Sequence, residues 1–209
     1  MDLTPNITKT IEHYSHHAKG YDKSAERTMQ LRLRTIEKIN LKPGDCVLDV
    51  ACGTGLSFQP ILDKIGPTGK LIGIEVSPEM FSLARQRMLD ALWKNVTLIN
   101  EPMETAPIPK GIDAILFNYT HDVVRSTKAL ENIFNSATTE TRVAIAGMKK
   151  LPWYLGFMNI YVVMAAKPYM STLEGLEKPW SHLEKYLDQF TYENTLLGTG
   201  YIGSGKIKG

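Results

Sequence analysis

The sequence predicts a doubly wound α/β fold: a mostly parallel sheet with helices on both faces. Three observations carry that prediction. Short apolar strands near 46–50, 70–74, 96–99, 113–118 and 142–147 alternate with helical segments. The first strand, Val47-Leu48-Asp49-Val50, breaks into a glycine-rich turn at Gly53 and Gly55, and a helical pattern follows. Glu75 stands at the end of the second strand, 20 residues past Gly55. Strand, glycine turn and helix in this order form the ligand-facing loop of nucleoside-binding α/β domains.

The remaining elements follow in chain order. Residues 5–40 read as a helical preface. Lys70 to Ile74 is a short buried strand. Ser77-Pro78-Glu79-Met80 then starts a helix, with serine as N-cap, proline at the first helical position and an acid in the first turn. Asn95 to Asn100 gives the third strand, and Ile112 to Phe117 the fourth, which runs into Asn118-Tyr119-Thr120-His121-Asp122. Residues 149–185 separate the fifth strand from a terminal pair near 189–197 and 200–207, joined through Gly198-Thr199-Gly200. One domain is expected over 1–209: a preface (1–40), a ligand-binding core (41–148), an insertion (149–185) and a C-terminal hairpin (186–209).

Composition narrows the function classes. At 209 residues with net charge +2 and no Lys/Arg tract interleaved with aromatics, nothing points to nucleic acid. Arg27, Arg32, Arg34, Lys38 and Lys42 read as the solvated face of a helix. Cys46 and Cys52 flank one strand and suit a reduced compartment, and Met1-Asp-Leu-Thr-Pro-Asn is no signal peptide. A cytoplasmic protein is expected.

The glycine turn discriminates between ligands. A dinucleotide fingerprint needs a third glycine where Phe58 stands, and no Gly-Lys-Ser/Thr follows for a phosphate loop. A nicotinamide-dependent oxidoreductase is therefore disfavoured. A carboxylate at Glu75 can accept two hydrogen bonds from the vicinal hydroxyls of a ribose. The ligand read from these residues carries a ribose but no pyrophosphate.

Val47-Leu-Asp-Val-Ala-Cys-Gly-Thr-Gly55, followed by Gly73-Ile-Glu-Val-Ser-Pro-Glu-Met80, resembles the class I S-adenosylmethionine-dependent methyltransferases. The likeness runs from about Tyr14 to the C-terminus and is most specific over residues 45–122. It implies a Rossmann-like seven-stranded sheet with a C-terminal antiparallel hairpin, and S-adenosyl-L-methionine as cofactor. It implies that Ala51, Cys52, Gly53 and Gly55 cradle the methionyl part, that Asp49 faces its ammonium directly or through water, and that Glu75 clasps the ribose. Val76, Met80 and Asn118 complete the expected contacts, and Tyr14 and Tyr21 become lid candidates. The third strand departs from the family pattern: Glu101-Pro102-Met103-Glu104 stands where Gly-Asp-Ala is common. Proline cannot hold the adenine amine, which leaves the Met103 amide and thioether and the carboxylate of Glu101 or Glu104.

Acceptor chemistry is expected at the end of the fourth strand. His121 is the candidate base or positioning group, Tyr119 a hydrogen-bonding phenol, and Asp122 a helix cap that holds the loop. His13, His16 and His17 lack companions for a metal site, and no metal is expected. Leu151 to Ala166, preceded by Lys149 and Lys150 and followed by Lys167, reads as a lid, a dimer surface or an interfacial helix, with Trp153, Tyr154 and Trp180 on an apolar wall. The resulting expectation is methyl transfer to O, N or C of a small, partly apolar molecule by a monomer or homodimer. Two alternatives stand beside it: a phospholipid headgroup N-methyltransferase touching the membrane through 151–166, and a non-catalytic S-adenosylmethionine-binding protein.

Overall fold

The computed structural model describes residues 28–152, 156–167 and 170–208, together with Ile11. A helix, α1 (Met29–Lys38), precedes the first strand, β1 (Cys46–Val50). Then α2 (Phe58–Ile65), β2 (Lys70–Ile74), α3 (Pro78–Asp90), β3 (Val96–Ile99) and β4 (Ile112–Asn118) alternate. Two short helices, α4 (His121–Arg125) and α5 (Thr127–Asn135), lead to β5 (Ala137–Met148). The insertion contributes α6 (Gly156–Ala166), and β6 (Leu187–Thr195) and β7 (Gly200–Ile207) complete the described chain.

All seven strands join one sheet in the order β3-β2-β1-β4-β5-β7-β6. The pairs among β1 to β5 are parallel, while β7 runs antiparallel to both β5 and β6. The chain thus winds outward from β1 in both directions, and the crevice of such a sheet opens beyond the carboxyl ends of β1 and β4. The first four strands lie where the sequence places them. β5 differs, beginning at Ala137, where the Thr141 hydroxyl donates to Ile112 O at 2.6 Å and a register shift lets the early residues pair with β4. β6 ends at Thr195 because Leu196 and Leu197 turn left-handed, with φ of 49° and 55°.

Side-chain alternation splits the core between the two faces. Val47, Leu71, Ala114 and Leu116 pack with Ile36, Phe58, Ile61 and Ile65 of α1 and α2. Leu48, Ile72, Ile115 and Val143 point the other way, toward Leu130 and Ile133 of α5. Central strands covered on both sides explain the near-continuous apolar runs in the sequence.

Phe58 explains the missing third glycine. It is wholly buried at the start of α2, with its ring edge-on to Trp93 at 6.2 Å. A Cβ on Gly55 would come within 2.6 Å of that ring, and one on Gly73 within 3.1 Å. The two glycines therefore admit the phenyl group between turn and strand, in the volume that a dinucleotide site keeps for close helix packing. Phe58→Ala is expected to lower the unfolding free energy by about 3–5 kcal/mol. Urea titration measures this, and a loss below about 1 kcal/mol would contradict the packing role.

Candidate active site

The turn after β1 is shaped by backbone. Ala51, Gly53 and Gly55 all have left-handed φ, of 47°, 60° and 78°. The Cys52 amide donates to Ile74 O at 3.0 Å, tying the turn to β2, and burial pushes the Cys52 thiol up. Glu75 makes the second tie. Its Oε2 accepts from the Gly53 amide at 2.9 Å and its Oε1 from the Ser77 amide at 2.8 Å. Burial raises the Glu75 carboxyl, and the amides of Ser77, Gly53 and Val76 pull it back. Asn100, just past β3, fixes the same corner, donating to Glu75 O at 2.7 Å and to Val76 O at 3.3 Å. The sequence assigns Glu75 to a ribose alone. Here it also braces the glycine turn against the N-terminus of α3, and each oxygen keeps further acceptor capacity.

Asp49, at 2% exposure, lies deeper in the crevice. Burial pushes its carboxyl up to about 7; the Arg32 charge opposes the shift and the Glu75 charge adds to it. Its Oδ2 has no hydrogen-bond partner among the described residues, nor has the Oδ1 of buried Asn118, whose Nδ2 donates to Ser57 Oγ at 3.4 Å. Arg32 corrects the sequence reading: it is 5% exposed, not part of a solvated face. Its Nη1 donates to Ser57 Oγ at 3.4 Å, and its guanidinium carbon sits 5.6 Å from the centre of the Tyr119 ring. Tyr119 itself is left-handed at φ 61°, a costly conformation for an aromatic residue, with its amide bonded to Ala146 O at 2.8 Å.

The loop after β4 holds the insertion. Glu174 O lies 3.0 Å from His121 Nε2, and the Ser171 amide donates to Asp122 Oδ2 at 2.9 Å. Arg125 Nη1 donates to Ser181 Oγ at 3.1 Å. Asp122 is not the helix cap that the sequence suggests: Thr120 holds the N-cap position of α4, and Asp122 bonds across to the insertion instead. A carbonyl only accepts, so the His121 proton sits on Nε2 and Nδ1 presents its lone pair. Nδ1 is buried without a partner among the described residues. Burial lowers the His121 pKa from 6.5, although the Asp122 charge works against it. His121, Tyr119, Ile145, Met148, Met170 and Tyr201 line a common cavity, too narrow in this structure for an aromatic ring. Trp180 packs behind it, 4.6 Å from the Tyr201 ring centre.

Other expected contacts sit differently. Met80 is wholly enclosed, its amide donating to the Ser77 N-cap at 3.4 Å, so it supports the crevice from beneath. Met103 is buried, its carbonyl accepting from Asn132 Nδ2 at 2.9 Å. Glu104 Oε1 accepts from Ser126 Oγ at 2.7 Å, and Val76 is half-buried at the rim. Tyr14, Tyr21, His13, His16, His17, Trp153 and Tyr154 lie outside the described residues. Sequence reasoning missed Arg32, Ser57 and Asn100. For Arg32 a signal existed: it shares the i, i+4, i+7 stripe of Ile36 and Ile39, both buried.

Two buried carboxylates beside one guanidinium leave the crevice short of positive charge, which fits the ammonium and sulfonium of S-adenosylmethionine. Between pH 3.8 and about 7 the folded chain keeps a proton on Asp49 that the unfolded chain has released. This contribution to stability is present at the acid end and lost as pH rises through that interval. Asp49→Asn is therefore expected to melt at or above the wild-type temperature near pH 8, with the gap closing toward about pH 5. Melts of ligand-free protein at both values check this, and identical pH slopes would refute it.

Comparison with known proteins agrees with this geometry. The "demethylmenaquinone methyltransferase" of Lactococcus lactis is 23% identical over 180 residues, covering 82% of this chain and 71% of that one. The "ubiquinone/menaquinone biosynthesis C-methyltransferase UbiE" of Legionella pneumophila is 31% identical over 114 residues, 51% of this chain and 45% of its own. Among solved structures, a SAM-dependent methyltransferase from Aquifex aeolicus superposes with a TM-score of 0.62 at 20% identity, covering 91% of this chain and 98% of that one. The model of the methyltransferase domain matches residues 41–191, which take in every element from β1 into β6. The chain belongs to that methyltransferase-domain family and is a class I S-adenosylmethionine-dependent methyltransferase.

Proposed function

We propose that this methyltransferase acts on a small, partly apolar acceptor with an ionisable hydroxyl, and that His121 takes the acceptor's proton. One observation carries the reading: a buried imidazole in the wall of a narrow cavity, its tautomer fixed by Glu174 O and its Nδ1 without a partner among the described residues. Its depressed pKa keeps the ring neutral, and so basic, at ordinary pH. Among the described residues, no Lys or Arg lines that cavity. This favours a neutral ring over a phosphate-bearing headgroup.

On the cofactor side, Asp49 and Asn118 are the receptors for the methionyl ammonium, and Arg32 supplies the complement to its carboxylate. Glu75 would hold the ribose with the glycine turn, and Met103 and Glu104 would meet the adenine. When bound, S-adenosylmethionine supplies an already activated methyl group. The chain then has to align the acceptor, exclude water and remove a proton. Exclusion falls to the insertion, pinned over the cavity by His121 and Asp122. An acceptor ring enters when the segment around Met170 to Glu174 moves outward and widens the cavity. The relatives' names make a reduced, demethylated quinone the first acceptor to try.

His121→Gln tests the proposal, because the amide keeps a donor for Glu174 O but cannot act as a base. With such a quinol, kcat is expected to fall by about 10²–10⁴, with S-adenosylmethionine affinity by calorimetry unchanged. In the wild type, kcat/KM should fall on acidification, with its limb below about pH 6.5. Wild-type turnover in the glutamine variant would end the base assignment.

A further inference from the structure

Helix α6 carries no charged residue from Gly156 to Ala166. Its inner side is buried: Val162 is fully enclosed, and Ala166 packs with Met170 and Leu176 and against Met148. Its outer side is apolar too, with Ile160 and Met164, one turn apart, 63% and 71% exposed. A helix apolar on both sides calls for a second cover.

A second exposed apolar feature lies beside the same stretch of chain. Asn159 clasps Leu151, accepting from its amide at 2.8 Å and donating to its carbonyl at 3.0 Å, so α6 begins against the stretch leaving β5. A Cβ on Gly198 would fall 2.8 Å from Leu151 Cδ2, which sets the β6–β7 connection against that stretch as well. There Leu196 and Leu197, both left-handed, are 53% and 91% exposed. Left-handed backbone is costly for leucine, and two in succession hold apolar side chains out in water.

Positive charge borders these apolar groups. Lys149 and Lys150 precede α6 and Lys167 follows it; Lys150 already pairs with Glu177 at 3.2 Å. We propose that α6 and the Leu196–Leu197 connection form a docking surface for an anionic lipid bilayer, lying in its interface with the lysines toward the headgroups. No described helix is long and apolar enough to cross a membrane. A second copy fits less well, because a two-fold axis through this face would set each lysine border against itself. Met148 and Met170, packed beneath α6, also line the His121 cavity. The helix then has lipid on one side and the acceptor's wall on the other, and that link alone rests on the proposed function.

Flotation of the whole protein with vesicles tests the surface, comparing phosphatidylcholine alone with an equal mixture of phosphatidylcholine and phosphatidylglycerol. Wild type is expected to float with the mixed vesicles, less so at high salt. Ile160→Ser combined with Leu197→Ser should weaken partition at least about tenfold. Calorimetric S-adenosylmethionine affinity serves as the check that the variant is folded. No wild-type flotation, or equal flotation of a folded variant, overturns the proposal. So does a wild-type dimer in sedimentation velocity that the two substitutions dissociate while neither protein floats. Flotation needs no turnover, so a failed acceptor assignment leaves this result readable.

Discussion

A carboxylate shut away from water fixes the geometry of the whole crevice. Glu75 bonds the Gly53 amide with one oxygen and the Ser77 amide with the other, joining the turn after β1 to the helix after β2. Together with the Cys52 amide's bond to Ile74 O, those two bonds hold three left-handed corners, at Ala51, Gly53 and Gly55. The same burial makes the site electrically demanding. Asp49 sits nearby, its charge opposed by Arg32 and reinforced by Glu75, so among the described residues the pocket favours a cation and discriminates against an anionic pyrophosphate. Binding preference and loop shape thus share one cause.

Much of this was legible in the sequence because it is periodic or local. Strands buried on both faces read as apolar runs, and β1, β2, β3 and β7 fall where those runs place them. Ser77 and Pro78 announce the start of α3 through short-range chemistry. Asp49 and Glu75 stand out because a strand's end and a glycine turn locate them. Arg32 did not, because charge outweighed position on its helix stripe, and Ser57 looked like any helix-start serine. The double use of Glu75 needed coordinates, since its two bonds go to backbone amides that no residue type reveals.

The acceptor side was legible only as a list of candidates. His121 and Asp122 are neighbours in sequence, yet each grips a different point of a segment about fifty residues away. Such long-range pairing leaves no local mark. It does give the insertion a defined position, held by hydrogen bonds to the short helix α4 and by the packing of Met170 and Leu176 against Ala166 and Met148. A cover attached in that way can be strong enough to exclude water and still separate on the timescale of turnover.

The placing of β7 between β5 and β6 bears on the order in which the molecule comes into being. During synthesis β1, β2 and β3 have their sheet partners as soon as β4 has emerged, and β4 then lacks only β5, so the cofactor crevice can take shape while the chain is still growing. β6 has only β7 as a partner and must wait, unpaired, until the residues after Gly200 emerge. Tyr201, which lines the His121 cavity, arrives on that same strand. A nascent chain can therefore hold its methyl donor's pocket before it has anywhere to put an acceptor.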